Sequence, residues 1–425
     1  MTDKPLKVAI LCHSDNMGGA AVVTMRLHNA LRREGVDSRM VVFTQNNPGS
    51  DVTIISNRFK RGFYFVRERF EIFMNNGMSR DNLFKVSTAS CGPDIMSNAV
   101  VRNADVVVLS WVNQGMLSLN QLDRLLKSGK PVVWMMHDMW NMTGICHHAL
   151  ECRNYVDPGE CGRCQFLSSD RPDDLSHKVW KKKNEIYRNA TNLQFVAVSN
   201  WSRRKAAESS LMKDMPVETI FNPFPIDSFD TRFPEGYEPS IISHDRKVIA
   251  MGAARLDQPI KGLPYAIEAL NYLFDNNPEL CNNAEAVFFG DLRNPDALAD
   301  LRFPHRYVGR ISDPLILRRL YTRSSVVLSS SLYETLPGTL IEGQASGALA
   351  VSFGEGGQDD IIEHKKNGYI ARYLDTKDLA EGIEWALSQN QDVDALHESV
   401  RERFGSEAVA RRYIELFNRM LHRNG

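Results

Sequence analysis

At 425 residues the chain is past the size at which a single hydrophobic core keeps growing, which sets an expectation of two domains. Its 43% hydrophobic and 24% charged residues exclude a disordered, collagen-like or coiled-coil chain. With 51 basic against 52 acidic residues there is no global field to gather nucleic acid, so contact with a polyanion or a membrane must come from a local patch. The segment Met1 to Lys7 is short and polar, without the core of a secretory signal, and no apolar run approaches the roughly 18 residues of a membrane span. Seven cysteines in such a chain read as reduced thiols, and the expected location is the cytoplasm.

The first element is the strand Val8-Ala9-Ile10-Leu11, followed by Gly18-Gly19 and a helical segment that Gly35 ends. Further strands are expected at Met40 to Phe43, Asp105 to Leu109, Val132 to Met135 and Phe195 to Val198, with Ser199 placed to cap a following helix. Between Ile220 and Ser243 the text turns to prolines and aromatics, including Asn222-Pro223-Phe224-Pro225, and reads as an interdomain connection. Alternation restarts at Val248 to Met251 and continues through Ala286 to Phe289, Val326 to Leu328 and Leu349 to Val351. Helices are expected near Leu263 to Phe274 and Asp313 to Tyr321. Strands alternating with helices predict an α/β protein of two Rossmann-like, doubly wound domains, 1–220 and 244–405, joined by a linker at 221–243. A last helix within 406–425 is expected to pack back on the first domain.

Three features of the second half converge on one chemistry. Arg255, then Lys261-Gly262, follow the strand Val248 to Met251, where doubly wound sheets bind ligands. A guanidinium fork and a mobile ammonium suit a diphosphate whose leaving oxygen gains charge as a glycosidic bond breaks. Glu334 and Glu342 flank Thr335-Leu336-Pro337-Gly338-Thr339, with Pro337 suited to a first helical turn. Gly338, Thr339 and Leu340 would then offer free N–H groups to phosphate. Glu334 would meet sugar hydroxyls and Glu342 the ribose. Gly290-Asp291, after Ala286 to Phe289, lets a base or ribose approach the backbone.

At these residues the sequence resembles the large fourth family of retaining glycosyltransferases, which have the two-domain GT-B fold with the domains facing across a cleft. The resemblance rests on Gly252-Ala253-Ala254-Arg255 to Lys261-Gly262, on Tyr333-Glu334 to Ile341-Glu342, and on Ala345-Ser346-Gly347 before the strand Leu349 to Val351. It implies that Arg255 and Lys261 bind the donor diphosphate, Glu334 the transferred sugar and Glu342 the ribose, in metal-independent transfer with retention. In the first domain Gly18-Gly19 corresponds to a glycine loop under acceptor and phosphates. It lacks a dinucleotide fingerprint, because Val22 stands where a third glycine belongs. His137, closing the strand Val132 to Met135, is expected to contact the sugar near its reacting carbon. Two departures are Thr335-Leu336-Pro337-Gly338 in place of a phenylalanine-glycine turn, and Pro223 where glycine is commoner. The expected activity is hexosyl transfer from a nucleotide diphosphate sugar, UDP-sugar favoured over GDP-sugar, to a glycan or lipid-linked glycan in polysaccharide or glycoconjugate assembly. The rivals are a sugar-nucleotide epimerase and a non-catalytic sugar-nucleotide-binding subunit.

Two further signals lie in the first half. Cys146, Cys152, Cys161 and Cys164 fall within nineteen residues, with Cys-Gly-Arg-Cys at the end, and are a candidate structural zinc site. Phe59, Phe63, Val66, Phe70 and Phe73 recur at helical spacing among Arg58, Lys60, Arg61, Arg67 and Arg69. Such a helix suits peripheral contact of 58–74 with the inner membrane face. Glu68 and Glu71 interrupt its basic face, and the favoured reading is a stripe packed on the first domain.

Overall fold

The central strands of the first half are short, nearly continuous apolar runs, the pattern of a parallel sheet covered on both faces. The computed structural model describes residues 4–47, 49, 51–229 and 245–423. The chain divides into two units, one of residues 1–223 and 409–425, the other of residues 224–408. Of the connection read at 221–243, residues 230–243 lie outside the described residues.

Unit 1 begins with β1 (Lys7–Ser14), α1 (Gly19–Arg33), β2 (Asp37–Thr44), β3 (Val52–Ile54) and α2 (Arg58–Asn75). It continues with α3 (Ala99–Asn103), β4 (Val106–Leu109), α4 (Leu119–Lys127), β5 (Val132–Met136), α5 (Leu175–Arg188), β6 (Leu193–Ala197), α6 (Asn200–Glu208) and β7 (Val217–Thr219). The seven strands pair in parallel in the order β3-β2-β1-β4-β5-β6-β7. Ser199 caps α6 as its residue type and position suggest, its hydroxyl accepting from Ser202 N at 3.1 Å.

Unit 2 contains β8 (Lys247–Arg255), α7 (Leu263–Asn276), α8 (Pro278–Asn283), β9 (Ala284–Asp291), β10 (His305–Tyr307), α9 (Pro314–Arg323) and β11 (Ser324–Ser329). After these come α10 (Gly338–Ala345), β12 (Leu349–Phe353), β13 (Gly368–Ala371), α11 (Thr376–Ser388) and α12 (Val393–Phe404). Its six strands are parallel in the order β10-β9-β8-β11-β12-β13. The order of each sheet reverses direction at one place, between β1 and β4 in unit 1 and between β8 and β11 in unit 2. Connections leave the two strands there on opposite sides, so their carboxyl ends are left open to a ligand.

The chain returns to unit 1 in α13 (Ser406–Arg423). Val409, Tyr413, Leu416, Phe417 and Met420 are buried in one core with Val8 and Ile10 of β1, Leu27 and Leu31 of α1 and Met40 of β2. Arg412 donates to Thr219 O at 2.7 Å and Arg419 reaches Glu218 Oε2 at 2.5 Å, which ties the helix to the edge strand β7. Removing a fully buried ring leaves a cavity as well as losing apolar contact. Phe417→Ala is therefore expected to weaken unit 1 by about 3–5 kcal/mol and leave unit 2 unmoved. Denaturant unfolding followed by hydrogen exchange in each unit measures this, and equal losses in both units count against it.

Candidate functional site

In unit 2 the switch-point strands set the geometry. β8 runs to Arg255, beyond the expected end at Met251, so this arginine closes a strand; its partner across the pair is Asp291. The Arg255 Nε lies 3.2 Å from Asp257 Oδ1, and Asp257 Oδ2 accepts from the backbone N–H groups of Arg293 and Asn294 at 3.0 Å each. The loop after β8 is thereby fastened to the loop after β9. Gly290 has φ +122°, and a Cβ there would sit 1.8 Å from Ala253 O, so only glycine allows this close approach of the two strand ends. Tyr307 donates its hydroxyl proton to Gly290 O at 2.9 Å.

Lys261 ends a short turn over Pro259–Lys261, and Gly262, at φ +64°, starts α7. A Cβ on Gly262 would meet Ser330 O at 2.0 Å. Ser330, just beyond β11, donates to Gly262 O at 2.9 Å, and Leu332 N donates to Ile260 O at 2.9 Å. These bonds lace the β8 and β11 loops together. They bring Lys261 Nζ onto Glu334 Oε1 in a close ion pair, both side chains partly buried.

Glu334 stands four residues before α10. Pro337 is the cap residue with extended backbone (φ −72°, ψ 106°) and contributes no side-chain cap bond, so it lies one position before the first turn expected for it. Gly338, Thr339 and Leu340 occupy that turn, and their N–H groups have no intrahelical acceptor. Leu336 is buried, and a Cβ on Gly338 would lie 3.0 Å from the Phe224 ring. Glu342, one turn along α10, raises the pKa of the buried Tyr321 phenol together with the larger effect of burial.

The sequence reading passed over Gly354-Glu355-Gly356-Gly357. Gly357 N donates to Glu334 O at 2.9 Å, and a Cβ at 357 would meet Thr335 O at 2.0 Å. A run of glycines after a central strand was the available signal. The Glu334 backbone is thus clamped from the β12 side while its carboxylate is held by Lys261.

In unit 1 the candidate residues also lie at strand ends. Gly18 (φ +86°) caps α1, and the spaces where Cβ atoms of Gly18 and Gly19 would sit are open among the described residues. His137 follows β5. Its Nε2 is 2.8 Å from Ser110 Oγ, which is 2.5 Å from Thr24 Oγ1, and Thr24 donates to Ala20 O at 2.6 Å. With the Thr24 proton committed to Ala20, the order of donation runs from His137 Nε2–H to Ser110 to Thr24. The neutral imidazole then carries its proton on Nε2. Burial lowers the His137 pKa to about 4 against the opposing charge of Asp138.

Asp138 accepts from Trp111 Nε1 at 2.9 Å, His147 Nδ1 at 2.8 Å and Trp140 N at 2.8 Å. Burial pushes its carboxyl up, but His147 and the N–H donors outweigh that and hold it well below the usual carboxylate range. Asp15, also unremarked in the sequence, is buried beyond β1 and accepts from Asn46 N and Asn47 N, with a shortest distance of 2.7 Å. His13, beside it, is lowered to about 4 by burial and by the charges of Arg69 and Arg61.

All seven cysteines are free thiols. Burial pushes Cys146, Cys161 and Cys164 up to about 12, and Gly144 N donates to Cys161 Sγ at 3.1 Å. Among the described residues no group of three or more His, Cys, Asp or Glu side chains is arranged to hold a metal. Cys146, Cys152, Cys161 and Cys164, the expected zinc ligands, are not brought together as such a group. Lys183, fully buried beside these cysteines, donates to Trp140 O at 2.6 Å and Thr143 O at 3.0 Å.

Residues 245–389, which contain Arg255, Lys261, Gly290, Glu334 and Glu342, match the family model of the glycosyl transferases group 1. The chain carries a group 1 glycosyl transferase domain. An uncharacterized glycosyltransferase of Methanocaldococcus jannaschii is 23% identical over 301 residues, 67% of this chain and 73% of that protein. A putative colanic acid biosynthesis glycosyl transferase of Escherichia coli is 26% identical over 200 residues, 43% of this chain and 46% of its own length. HepE of Anabaena, solved in complex with UDP and glucose, superposes with a TM-score of 0.61 at 15% identity, over 97% of this chain and 99% of that one. The glycosyl transferase domain and the unit before it together have the GT-B fold, two parallel α/β sheets of seven and six strands.

The depressed imidazoles of unit 1 carry a consequence for stability. Below about pH 6.5 an unfolded histidine takes up a proton that folded His13 and His137 refuse until about 4. Their contribution is full above pH 6.5 and is lost as the pH falls through that interval, by up to about 3 kcal/mol for each group. Urea unfolding of unit 1 across this range is expected to show the decline, with a shallower slope in His137→Gln. An unchanged slope in that variant would remove the assignment.

Proposed function

We propose that this protein is a retaining glycosyltransferase that moves a hexose from a nucleoside diphosphate sugar, with uridine favoured, to a glycan or lipid-linked glycan acceptor in polysaccharide or glycoconjugate assembly. The observation that carries the reading is the Lys261–Glu334 ion pair at the head of α10, on the switch-point side of the unit 2 sheet. A donor sugar diphosphate offers each partner a better match. The ammonium goes to the phosphate whose bond to the sugar breaks, and the carboxylate is released to sugar hydroxyls.

In this reading Arg255 and Lys261 stabilise the charge that grows on the departing diphosphate, and the N–H groups of Gly338, Thr339 and Leu340 add a third source of positive potential. Glu342 accepts from the ribose hydroxyls, and Gly290 and Leu336 leave room for the nucleoside. Pro337 sets the entry to α10. For unit 1 the proposal assigns His137 to the transferred sugar and Gly18-Gly19 to the ground beneath acceptor and phosphates. A neutral imidazole adds no charge beside the reacting carbon. Transfer needs no metal in this scheme because the two cations and the helix terminus serve the leaving group. The relative in colanic acid biosynthesis supports a role in polysaccharide assembly, and the UDP bound to HepE supports the uridine donor.

A screen of nucleoside diphosphates and their sugars by thermal shift is expected to pick out UDP and one UDP-sugar, since ligands of the folded state raise its apparent stability. With that donor, Arg255→Ala and Lys261→Ala should each lower turnover by roughly a hundredfold or more. Glu342→Ala should mainly weaken donor binding. Slow release of sugar with the anomeric configuration retained supports the reading. Near-normal turnover in both cation variants, or a donor returned as its epimer, overturns it.

A further inference from the structure

Helix α2 is folded with its usual polarity reversed. A surface helix normally turns its apolar stripe inward and its charges to water. Here Glu68 and Arg69 are buried with Ile72 on the inner face, and Arg61 donates to Phe43 O from the same side. Glu68 Oε1 accepts from Thr88 N at 2.7 Å and Ala89 N at 3.0 Å, and Glu68 Oε2 lies 3.2 Å from Arg69. Glu71 accepts from the Thr88 hydroxyl at 2.6 Å. The opposite face is left apolar and open: Phe59 is 90% exposed, Phe63 60%, Val66 62%, Phe70 58% and Met74 51%. Their spacing of four, three, four and four residues makes one continuous stripe along the helix. The packed stripe favoured from the sequence is therefore corrected: hydrogen bonds that Arg61, Arg69, Glu68 and Glu71 make with neighbouring segments, not this aromatic stripe, hold the helix to unit 1.

The charges on the open side have one sign. Arg58, Lys60 and Arg67 are exposed, whereas both acids of the helix, Glu68 and Glu71, are turned toward unit 1 and engaged there. At about 100° per residue, Lys60 and Arg67 follow one edge of the aromatic stripe, where long stems can lie along it and carry their charges outward. Among the described residues no helix is long and apolar enough to cross a membrane, so a helix of this kind meets a bilayer lengthwise.

We infer that α2 is a membrane-docking element that lays Phe59, Phe63, Val66, Phe70 and Met74 into the interface of an anionic phospholipid bilayer, with Lys60 and Arg67 on the headgroups. Phenyl rings and a row of cations beside them fit an interface that is apolar below and negative above. This rests on the surface of α2 alone and is independent of the activity proposed above.

Co-sedimentation of the full chain with vesicles tests it, using phosphatidylcholine alone and phosphatidylcholine mixed with phosphatidylglycerol. The protein is expected to pellet with the mixed vesicles and much less with the neutral ones. Lys60→Gln with Arg67→Gln should lower the partition coefficient roughly thirtyfold, at about tenfold per 1.4 kcal/mol and ~1 kcal/mol for each cation. Phe63→Glu with Phe70→Glu should abolish pelleting. All four side chains are exposed, so unchanged melting and circular dichroism are expected to show that the fold is kept. Failure of the unaltered protein to bind mixed vesicles overturns the inference, as does binding indifferent to both double variants. A dimer in solution that Phe63→Glu with Phe70→Glu dissolves also overturns it, since a second copy would then cover the face.

Discussion

Parallel pairing of β8 with β11 is the constraint on which the glycosyl transferase domain depends. Neighbouring parallel strands send their carboxyl ends to the same edge of a sheet, and at a switch point the chain departs from them in opposite directions. The residues proposed to meet the donor are attached to that edge: Arg255 as the last residue of β8, Lys261 in the next turn, Glu334 beyond β11, and Gly290 at the end of β9. The loops are not loosely disposed. Ser330 binds the carbonyl of Gly262, Asp257 binds the amides after β9, and Gly357 binds the carbonyl of Glu334. Fixed loops matter because charge stabilisation is effective only where the donors are already in place.

The strands at the centre of both sheets were legible because burial on two faces demands uninterrupted β-branched and apolar runs, as in Val106–Leu109 and Val132–Met136. The edge strands β3, β7 and β10 were not. They are three residues long and partly or fully exposed, so no apolar pattern marks them. Arg255, Lys261, Glu334 and Glu342 could be singled out because charged residues beside glycines at strand ends are unusual chemistry. Asp15 and Gly356-Gly357 could not, since their importance comes from backbone groups that reach them from distant parts of the chain. For α2 the spacing of its aromatics was evident, but the direction they face was decided by Glu68 finding two backbone donors at Thr88 and Ala89, a tertiary fact.

Unit 1 places neutral imidazoles at its strand ends where unit 2 places cations. His13 and His137 are kept neutral mainly by burial, helped at His13 by the charges of Arg69 and Arg61, and Asp138 spends its oxygens on Trp111, Trp140 and His147. A neutral imidazole adds hydrogen-bonding capacity without adding net charge.

The return of α13 to unit 1 bears on how the protein comes to be folded. A ribosome releases β1 to β7 first, yet Tyr413 and Phe417, which complete the core around β1 and α1, emerge only after the whole of unit 2 has been made. During vectorial synthesis the amino-terminal sheet must therefore wait, its apolar flank uncovered, while the later half of the chain can already close on itself. Order of synthesis and order of completion are inverted, and the most vulnerable nascent surface belongs to the part translated earliest.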